Sequence, residues 1–214
     1  MIDLFLEILE VLSYPFKRGI KRREYQGKVG PVIGVWGWMG RSSGWIHGQL
    51  RDYFISSDVR GVLTDFGLET KNIDSYLPHL NDEVKKFPNS VIVGTSLGGL
   101  IALRYVQKYG WKNVRKVVTI VAPFNGVWMC KWIKFLGDVY TDLAPGSKFL
   151  NDLKKFKFPR GKVVQILAKW DEFVGDPEEI NEPGKKYVIP VVGHNRLQNN
   201  VGLFTPLLDE ILYS

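Results

Sequence analysis

Residues 91–100 read VIVGTSLGGL and carry the strongest structural signal in the chain. A β-branched run ends in Gly-x-Ser-x-Gly around Ser96, and a helical pattern begins directly after the serine. In a sharp strand-to-helix turn, side chains two residues before and after the serine would collide with neighbouring backbone, so glycine is needed at Gly94 and Gly98. Such a turn lifts the serine hydroxyl clear of the sheet and sets a helix N-terminus beside it. The stretch therefore predicts a strand, a tight turn and a helix, with Ser96 as a candidate nucleophile.

Strand and helix patterns alternate from about residue 28 onward. This alternation favours an α/β fold with a mostly parallel sheet of about six strands and helices on both faces. Open sheets of this kind bind ligands beyond the carboxyl ends of their strands, so functional residues are expected in the loops that follow the strands. The predicted strands are 32–36, 59–64, 90–93, 114–121, 163–168 and 187–191, and the predicted helices are 44–55, 72–86, 97–109 and 196–213, the last broken near Pro206.

A base for the serine is predicted at His194. A serine hydroxyl is a poor nucleophile unless a base takes its proton and a third group orients that base. His194 lies directly after the sixth predicted strand, where the histidine of such a site is expected. The chain has three histidines, and the other two, His47 and His79, lie on predicted helices before Ser96. Surface or packing roles are expected for those two.

The acid that orients the base is predicted at Asp171. This residue lies directly after the fifth predicted strand, and the chain order of serine, acid and histidine is the one that this kind of fold requires. Glu172 and Asp176 follow within a few residues and are rival candidates. Asp171 is preferred because it lies closest to the end of the strand.

Two backbone N–H groups are the predicted donors to a developing oxyanion. One belongs to Leu97, the residue after the nucleophile, and the other to the loop WGWMGR at residues 36–41. Within that loop Trp38 is the first choice and Met39 the second. The alternative interpretation of the loop is a plain glycine-rich turn.

These residues carry a resemblance to the α/β-hydrolase superfamily. The resemblance covers about residues 30–213 and is closest to small lipases and carboxylesterases, including the triacylglycerol-lipase and inositol-deacylase-like groups. It implies the α/β-hydrolase fold and hydrolysis of carboxylic esters by a Ser-His-Asp triad, with no cofactor or metal. The chain departs from the usual pattern at Trp36, Thr95 and Phe124, where the family often has histidine. The matching segments are GTSLGG (94–99), VAPFNG (121–126), DLAPGSKFL (142–150), DEFVG (171–175) and Gly193-His194.

An insertion is predicted at about 123–160, between the fourth and fifth predicted strands. It is longer than an ordinary connection and holds an aromatic piece at 127–136 and a basic amphipathic piece at 147–158. We interpret it as a lid-like cover over the site rather than a separate domain. Tryptophans near the expected site predict an apolar acyl pocket, and core packing is the alternative. The predicted substrate-binding residues are Met39, Trp128, Trp132 and Trp170, with Trp38 and Trp45 nearby.

The N-terminal segment, residues 1–27, is predicted to be separate from the catalytic domain at 28–214. Residues 2–16 form an apolar helix pattern with a narrow acidic stripe, too short to span a bilayer, which takes about 20 apolar residues. One interpretation packs this helix on protein, and the other places residues 1–23 at a membrane surface. The basic cluster that follows the helix consists of Lys17, Arg18, Lys21, Arg22 and Arg23.

The composition limits the kinds of site and partner that the protein is expected to have. The single cysteine, Cys130, cannot form an intrachain disulfide, which fits a cytoplasmic setting, and one cysteine with three histidines disfavours a zinc site. The net charge of +7 favours either solubility alone or contact with an anionic surface of phospholipid or nucleic acid, and no nucleic-acid motif accompanies it. The predicted substrate is a small-molecule or lipid ester. The alternatives are a thioesterase, amidase or phospholipid deacylase of the same fold, and a non-catalytic membrane-associated binding protein.

Overall fold

One sheet forms the centre of the protein. The computed structural model describes residues 22–37, 52–64, 66, 70–174 and 184–213, and within them the sheet has seven strands. The strands are β1 Arg23–Tyr25, β2 Val29–Val35, β3 Val59–Leu63, β4 Ser90–Thr95, β5 Val114–Ile120, β6 Val163–Trp170 and β7 Lys185–Val192. Their spatial order is β1-β3-β2-β4-β5-β6-β7, and each neighbouring pair is parallel except β1 with β3. The predicted mostly parallel sheet is confirmed.

Helices cover both faces of this sheet. The side chains of each central strand alternate between two apolar clusters, so that Ile92 packs on one face while Val91 and Val93 pack on the other. The first face is covered by α1, α2, α3 and α4, and the second by α5 and α6. The helices described from end to end are α1 Leu77–Lys86, α2 Leu97–Tyr109, α3 Asp138–Leu143, α4 Lys148–Lys155, α5 His194–Asn199 and α6 Thr205–Tyr213.

The predicted helices differ from the observed ones at two places. The predicted helix 72–86 begins as a 3-10 turn at Ile73–Tyr76, capped by the side chain of Asn72, before α1 starts. The predicted single helix 196–213 is two helices, α5 and α6, separated by a 3-10 turn at Val201–Leu203. Pro206 lies in the first turn of α6, where a residue without an N–H is tolerated. Most of the predicted helix 44–55 lies outside the described residues, and residues 52–56 are helical.

The sheet begins earlier than predicted, because Arg23–Tyr25 pairs antiparallel with β3. This strand lies inside the segment 1–27 that was predicted to be separate. It is short, charged and at the sheet edge, so no hydrophobic period marks it. Arg22 next to it donates two hydrogen bonds to the buried Glu83, with Nε 2.7 Å from Oε1 and Nη2 2.9 Å from Oε2. These bonds lower the pKa of Glu83 and keep its carboxylate charged.

The insertion at 123–160 packs on the sheet domain instead of forming a domain of its own. Val139, Leu143, Phe149, Leu150 and Leu153 all join the cluster on the first face of the sheet. Ser147 caps α4 by accepting a hydrogen bond from the N–H of Leu150 at 3.1 Å. The interpretation of the insertion as a lid-like cover over the site stays a prediction.

Residues 1–21, which make up most of the segment with the membrane interpretation, lie outside the described part. Among the described helices, none combines the length and the apolar character that crossing a bilayer would require.

Candidate active site

Ser96 occupies a strained turn between β4 and α2. Its backbone has φ 51° and ψ −122°, a conformation that a residue with a side chain rarely adopts. The two glycines of the motif make the turn fit. A Cβ on Gly98 would lie 2.2 Å from the carbonyl oxygen of Val35, and one on Gly94 would lie 2.5 Å from the carbonyl oxygen of Gly98. A side chain at either position would therefore collide with neighbouring backbone, as the sequence predicts.

Three side chains from distant parts of the chain form one hydrogen-bonded series. The Oγ of Ser96 lies 2.9 Å from Nε2 of His194, and Nδ1 of His194 lies 2.5 Å from Oδ2 of Asp171. An ionised carboxylate only accepts, so Nδ1 carries the proton and Nε2 is left as the acceptor for the Ser96 hydroxyl. Both His194 and Asp171 are buried. The structure thus brings together the three residues predicted for catalysis.

The loop after β6 fixes the Asp171 carboxylate. Its Oδ1 accepts hydrogen bonds from the N–H groups of Phe173 at 3.0 Å and Val174 at 3.2 Å, which leaves Oδ2 for the imidazole. The Phe173 ring packs edge-on against the His194 ring, with centroids 5.4 Å apart and an angle of 89°. Both oxygens of the Asp171 carboxylate have hydrogen-bond partners, and the His194 ring packs against Phe173. The geometry of Asp171 and His194 is therefore fixed before a substrate binds.

Glu172, the rival acid, serves the backbone of His194 instead of its ring. Its Oε2 accepts a hydrogen bond from the His194 N–H at 2.9 Å. Its other oxygen, Oε1, is buried and has no hydrogen-bond partner among the described residues. The third candidate, Asp176, lies outside the described part of the chain. Glu172 therefore anchors the turn that carries the histidine, a role that its place in the sequence does not reveal.

Substitutions of Glu172 test its hydrogen bond to the backbone of His194. Glu172→Gln keeps an acceptor for the His194 N–H, so we expect this variant to keep most of its activity. Glu172→Ala removes the anchor and should lose about 10²-fold in kcat/KM. Wild-type rates in Glu172→Ala would contradict this role.

The loop after β2 passes directly beside Ser96. A Cβ on Gly37 would lie 2.8 Å from the Cβ of Ser96, so the backbone of this loop approaches the serine closely. Leu97 is the first residue of α2, and N–H groups in the first turn of a helix have no partner within that helix. Trp38 and Met39, the predicted second donor and its rival, lie outside the described residues. Gly37 was not singled out from the sequence, although its place next to Trp38 fits a close approach.

The tryptophans predicted to bind substrate differ in their surroundings. Trp128 contacts the acid loop, because its Nε1 donates to the carbonyl oxygen of Glu172 at 3.3 Å and its backbone N–H lies 3.5 Å from the carbonyl oxygen of Phe173. Trp170 ends β6 directly before Asp171 and is partly exposed. Trp132 is among the most exposed apolar residues of the described chain. Two of the three tryptophans predicted to bind substrate thus adjoin the acid loop.

The single cysteine of the chain is not activated as a nucleophile. Cys130 is buried, and burial raises the pKa of its thiol to about 11, so the thiol stays protonated at neutral pH. Within the described ranges, no group of three or more His, Cys, Asp or Glu side chains is arranged to hold a metal ion.

Solved structures share this fold. An esterase from Exiguobacterium antarcticum is similar, with 16% identity, a TM-score of 0.67 and coverage of 90% of this chain and 95% of that one. So is an α/β hydrolase enzyme from the metagenome of sediments of the Mar Chica lagoon in Morocco, at 22% identity, a TM-score of 0.65 and coverage of 90% and 94%. A deformylase from Pseudomonas putida S16 matches at 14% identity, a TM-score of 0.60 and coverage of 87% and 94%.

No protein-family model matches the chain, and no curated protein matches it. The likeness to the solved structures extends over nearly the whole of each chain. The protein therefore has the α/β-hydrolase fold, as the strand-turn-helix around Ser96 predicted.

Proposed function

We propose that this protein is a serine hydrolase that cleaves carboxylic esters through an acyl-enzyme. The observation that carries the proposal is the unbroken hydrogen-bonded series from Ser96 through His194 to Asp171. In each of the three residues, the atom that its catalytic role requires lies within hydrogen-bond distance of the next residue. The strained conformation of Ser96 adds support, because backbone strain of this kind is concentrated at functional sites.

The first half of the reaction transfers the acyl group to Ser96. His194 accepts the hydroxyl proton at Nε2 while Oγ attacks the ester carbonyl carbon, which gives a tetrahedral oxyanion. Asp171 stabilises the imidazolium that forms. When the intermediate collapses, the ester C–O bond breaks and the same proton passes from Nε2 to the leaving alcohol.

The second half returns the enzyme to its starting state. A water molecule gives one proton to Nε2 of His194 and attacks the acyl-enzyme carbonyl, and collapse of this second intermediate releases the carboxylic acid and returns the proton to Ser96. In both halves the N–H groups of Leu97 and Trp38 are the proposed donors to the oxyanion. A donor of this kind contributes about 3 kcal/mol to transition-state stabilisation.

The aromatic surroundings favour an apolar acyl group. Trp128 and Trp170 adjoin the loop that holds Asp171, so an acyl chain bound to Ser96 has apolar surface available nearby. In a series of p-nitrophenyl esters we expect kcat/KM to rise about fourfold for each added methylene until the pocket is filled. The highest rates on charged or strongly polar acyl groups would contradict an apolar pocket.

A second panel tests the bond that is cleaved. It compares an ester, a thioester and an anilide that carry the same butyryl group, each with a Ser96→Ala control. The proposal expects the ester to have the highest kcat/KM. The fold alone does not decide this, because the similar structures include both an esterase and a deformylase. Faster cleavage of the anilide or the thioester would replace the ester assignment and leave the role of Ser96 intact.

A further inference from the structure

The insertion carries a cluster of exposed apolar side chains, of which Trp128 alone contacts the acid loop of the site. Within residues 128–136, the exposed fractions are 55% for Trp128, 76% for Trp132, 83% for Phe135 and 54% for Leu136. We call residues 128–136 the aromatic surface. Soluble proteins rarely expose large apolar side chains so close together, and such clusters mark sites of interaction with protein or membrane.

The aromatic surface is held to the domain by its backbone and by buried side chains. Cys130 is buried and Ile133 packs against the core between the exposed residues. At the start of the segment, the N–H of Val127 donates to the carbonyl oxygen of Leu143 at 2.8 Å. Just after it, the N–H of Val139 donates to the carbonyl oxygen of Thr70 at 3.3 Å. The exposed rings therefore project from a fixed base and do not belong to a loose loop.

The charges of the aromatic surface select its partner. Lys131 and Lys134 are exposed among the rings, and the segment contains no acidic residue. Two copies of the chain meeting through this surface would bring four ammonium groups together, which disfavours self-association. Exposed tryptophan and lysine side chains are well suited to the boundary between lipid and water, where rings enter the head-group region and ammonium groups meet anionic lipids.

The aromatic surface also adjoins the candidate active site. Trp128 is bonded to the backbone of Glu172, and Phe173 packs against the ring of His194. We propose that the aromatic surface docks the protein on anionic phospholipid bilayers. This would place the site next to esters held in the membrane. The docking itself is independent of the chemistry, and only the delivery of esters rests on the proposed function.

Sedimentation with lipid vesicles tests the docking. The full chain is mixed with vesicles of phosphatidylcholine that contain about 30% phosphatidylserine. We expect the wild type to sediment with them and to bind vesicles of phosphatidylcholine alone far more weakly. Phe135→Ser should weaken binding about tenfold or more, because a ring can no longer enter the lipid. Lys131→Gln with Lys134→Gln should weaken it about 30-fold.

A matched control makes the same change of charge at another place in the insertion. Lys155 and Lys157 are exposed lysines of the same insertion outside the aromatic surface, and their double replacement by glutamine should bind almost as the wild type does. Hydrolysis of soluble p-nitrophenyl butyrate should be unchanged in Phe135→Ser, which verifies folding. Binding measured with Ser96→Ala should also be unchanged, so a failure of the proposed function would not be mistaken for a failure of docking.

Three results would overturn the proposal. The wild type could fail to bind anionic vesicles. It could bind them with an affinity that neither Phe135→Ser nor the Lys131 and Lys134 change alters, which would assign membrane binding to another part of the chain. It could form a dimer in solution that Phe135→Ser dissociates, without binding vesicles, which would make the aromatic surface an interface between copies.

Discussion

Replacing Ser96 with alanine should lower kcat/KM for the best p-nitrophenyl ester by about 10⁵- to 10⁶-fold. The substitution removes the oxygen that lies 2.9 Å from Nε2 of His194, and no acyl-enzyme can form without it. The oxyanion donors remain, so a small rate above that in buffer should persist. Alanine also accepts the strained φ of 51° about as well as serine does, so the fold should be kept.

The control for this variant is Ser56→Ala. Ser56 lies far from the site in sequence, and its hydroxyl donates to the backbone carbonyl of Tyr53 at 3.0 Å. It should keep wild-type kinetics, and circular dichroism should give the same spectrum for both variants. A Ser96→Ala enzyme with more than about a tenth of the wild-type kcat/KM would show that another group performs the attack.

Replacing Asp171 with asparagine should lower kcat by about 10⁴-fold through a change of tautomer. The Oδ1 of Asp171 accepts from the N–H groups of Phe173 and Val174, and an asparagine oxygen can take that place. Its NH₂ group then faces Nδ1 of His194 where a carboxylate oxygen stood. Two N–H groups cannot form a hydrogen bond with each other, so Nδ1 becomes the acceptor and the imidazole carries its proton on Nε2. Nε2 can then no longer accept the proton of Ser96.

Two measurements make this second prediction specific. Glu172→Gln changes the neighbouring carboxylate to an amide yet should keep most of its activity, because its partner is the backbone N–H of His194. The double variant Ser96→Ala with Asp171→Asn should be no slower than Ser96→Ala alone, since the residues act as a unit. A loss of less than about 100-fold in Asp171→Asn would contradict the assignment of Asp171.

The parts of the structure that depend on local sterics could be predicted from the sequence. The turn at Ser96 requires small residues at fixed offsets, and Gly94 and Gly98 supply them. The parallel sheet then dictates that side chains after β6 and β7 meet above the turn, which located Asp171 and His194. These inferences rest on the spacing of glycines, on the ends of apolar runs and on the chain order of serine, acid and histidine that this kind of fold requires.

Contacts between distant residues account for what could not be predicted. The strand Arg23–Tyr25 has no apolar pattern of its own, and it lies beside Arg22, whose partner Glu83 is distant in sequence. Glu172 looks like an acid by position, but its role is set by the N–H of His194 across the turn.

The surroundings of the tryptophans also depend on contacts between distant residues. Trp128 and Trp132 belong to one short aromatic segment, yet Trp128 contacts the acid loop while Trp132 is largely exposed. The run of aromatic residues marks the segment in the sequence, but which ring contacts the site depends on how the insertion packs on the domain.

Covalent labelling of the wild-type protein by a fluorophosphonate probe would show whether Ser96 is the activated nucleophile. Such a probe reacts with a serine hydroxyl that is activated by a base, and peptide mass spectrometry then locates the adduct. We expect a single adduct on the oxygen of Ser96, formed much more slowly in Asp171→Asn. Intact folded protein that gains no adduct at Ser96, or gains one on another residue, would contradict the assignment of Ser96 as the nucleophile.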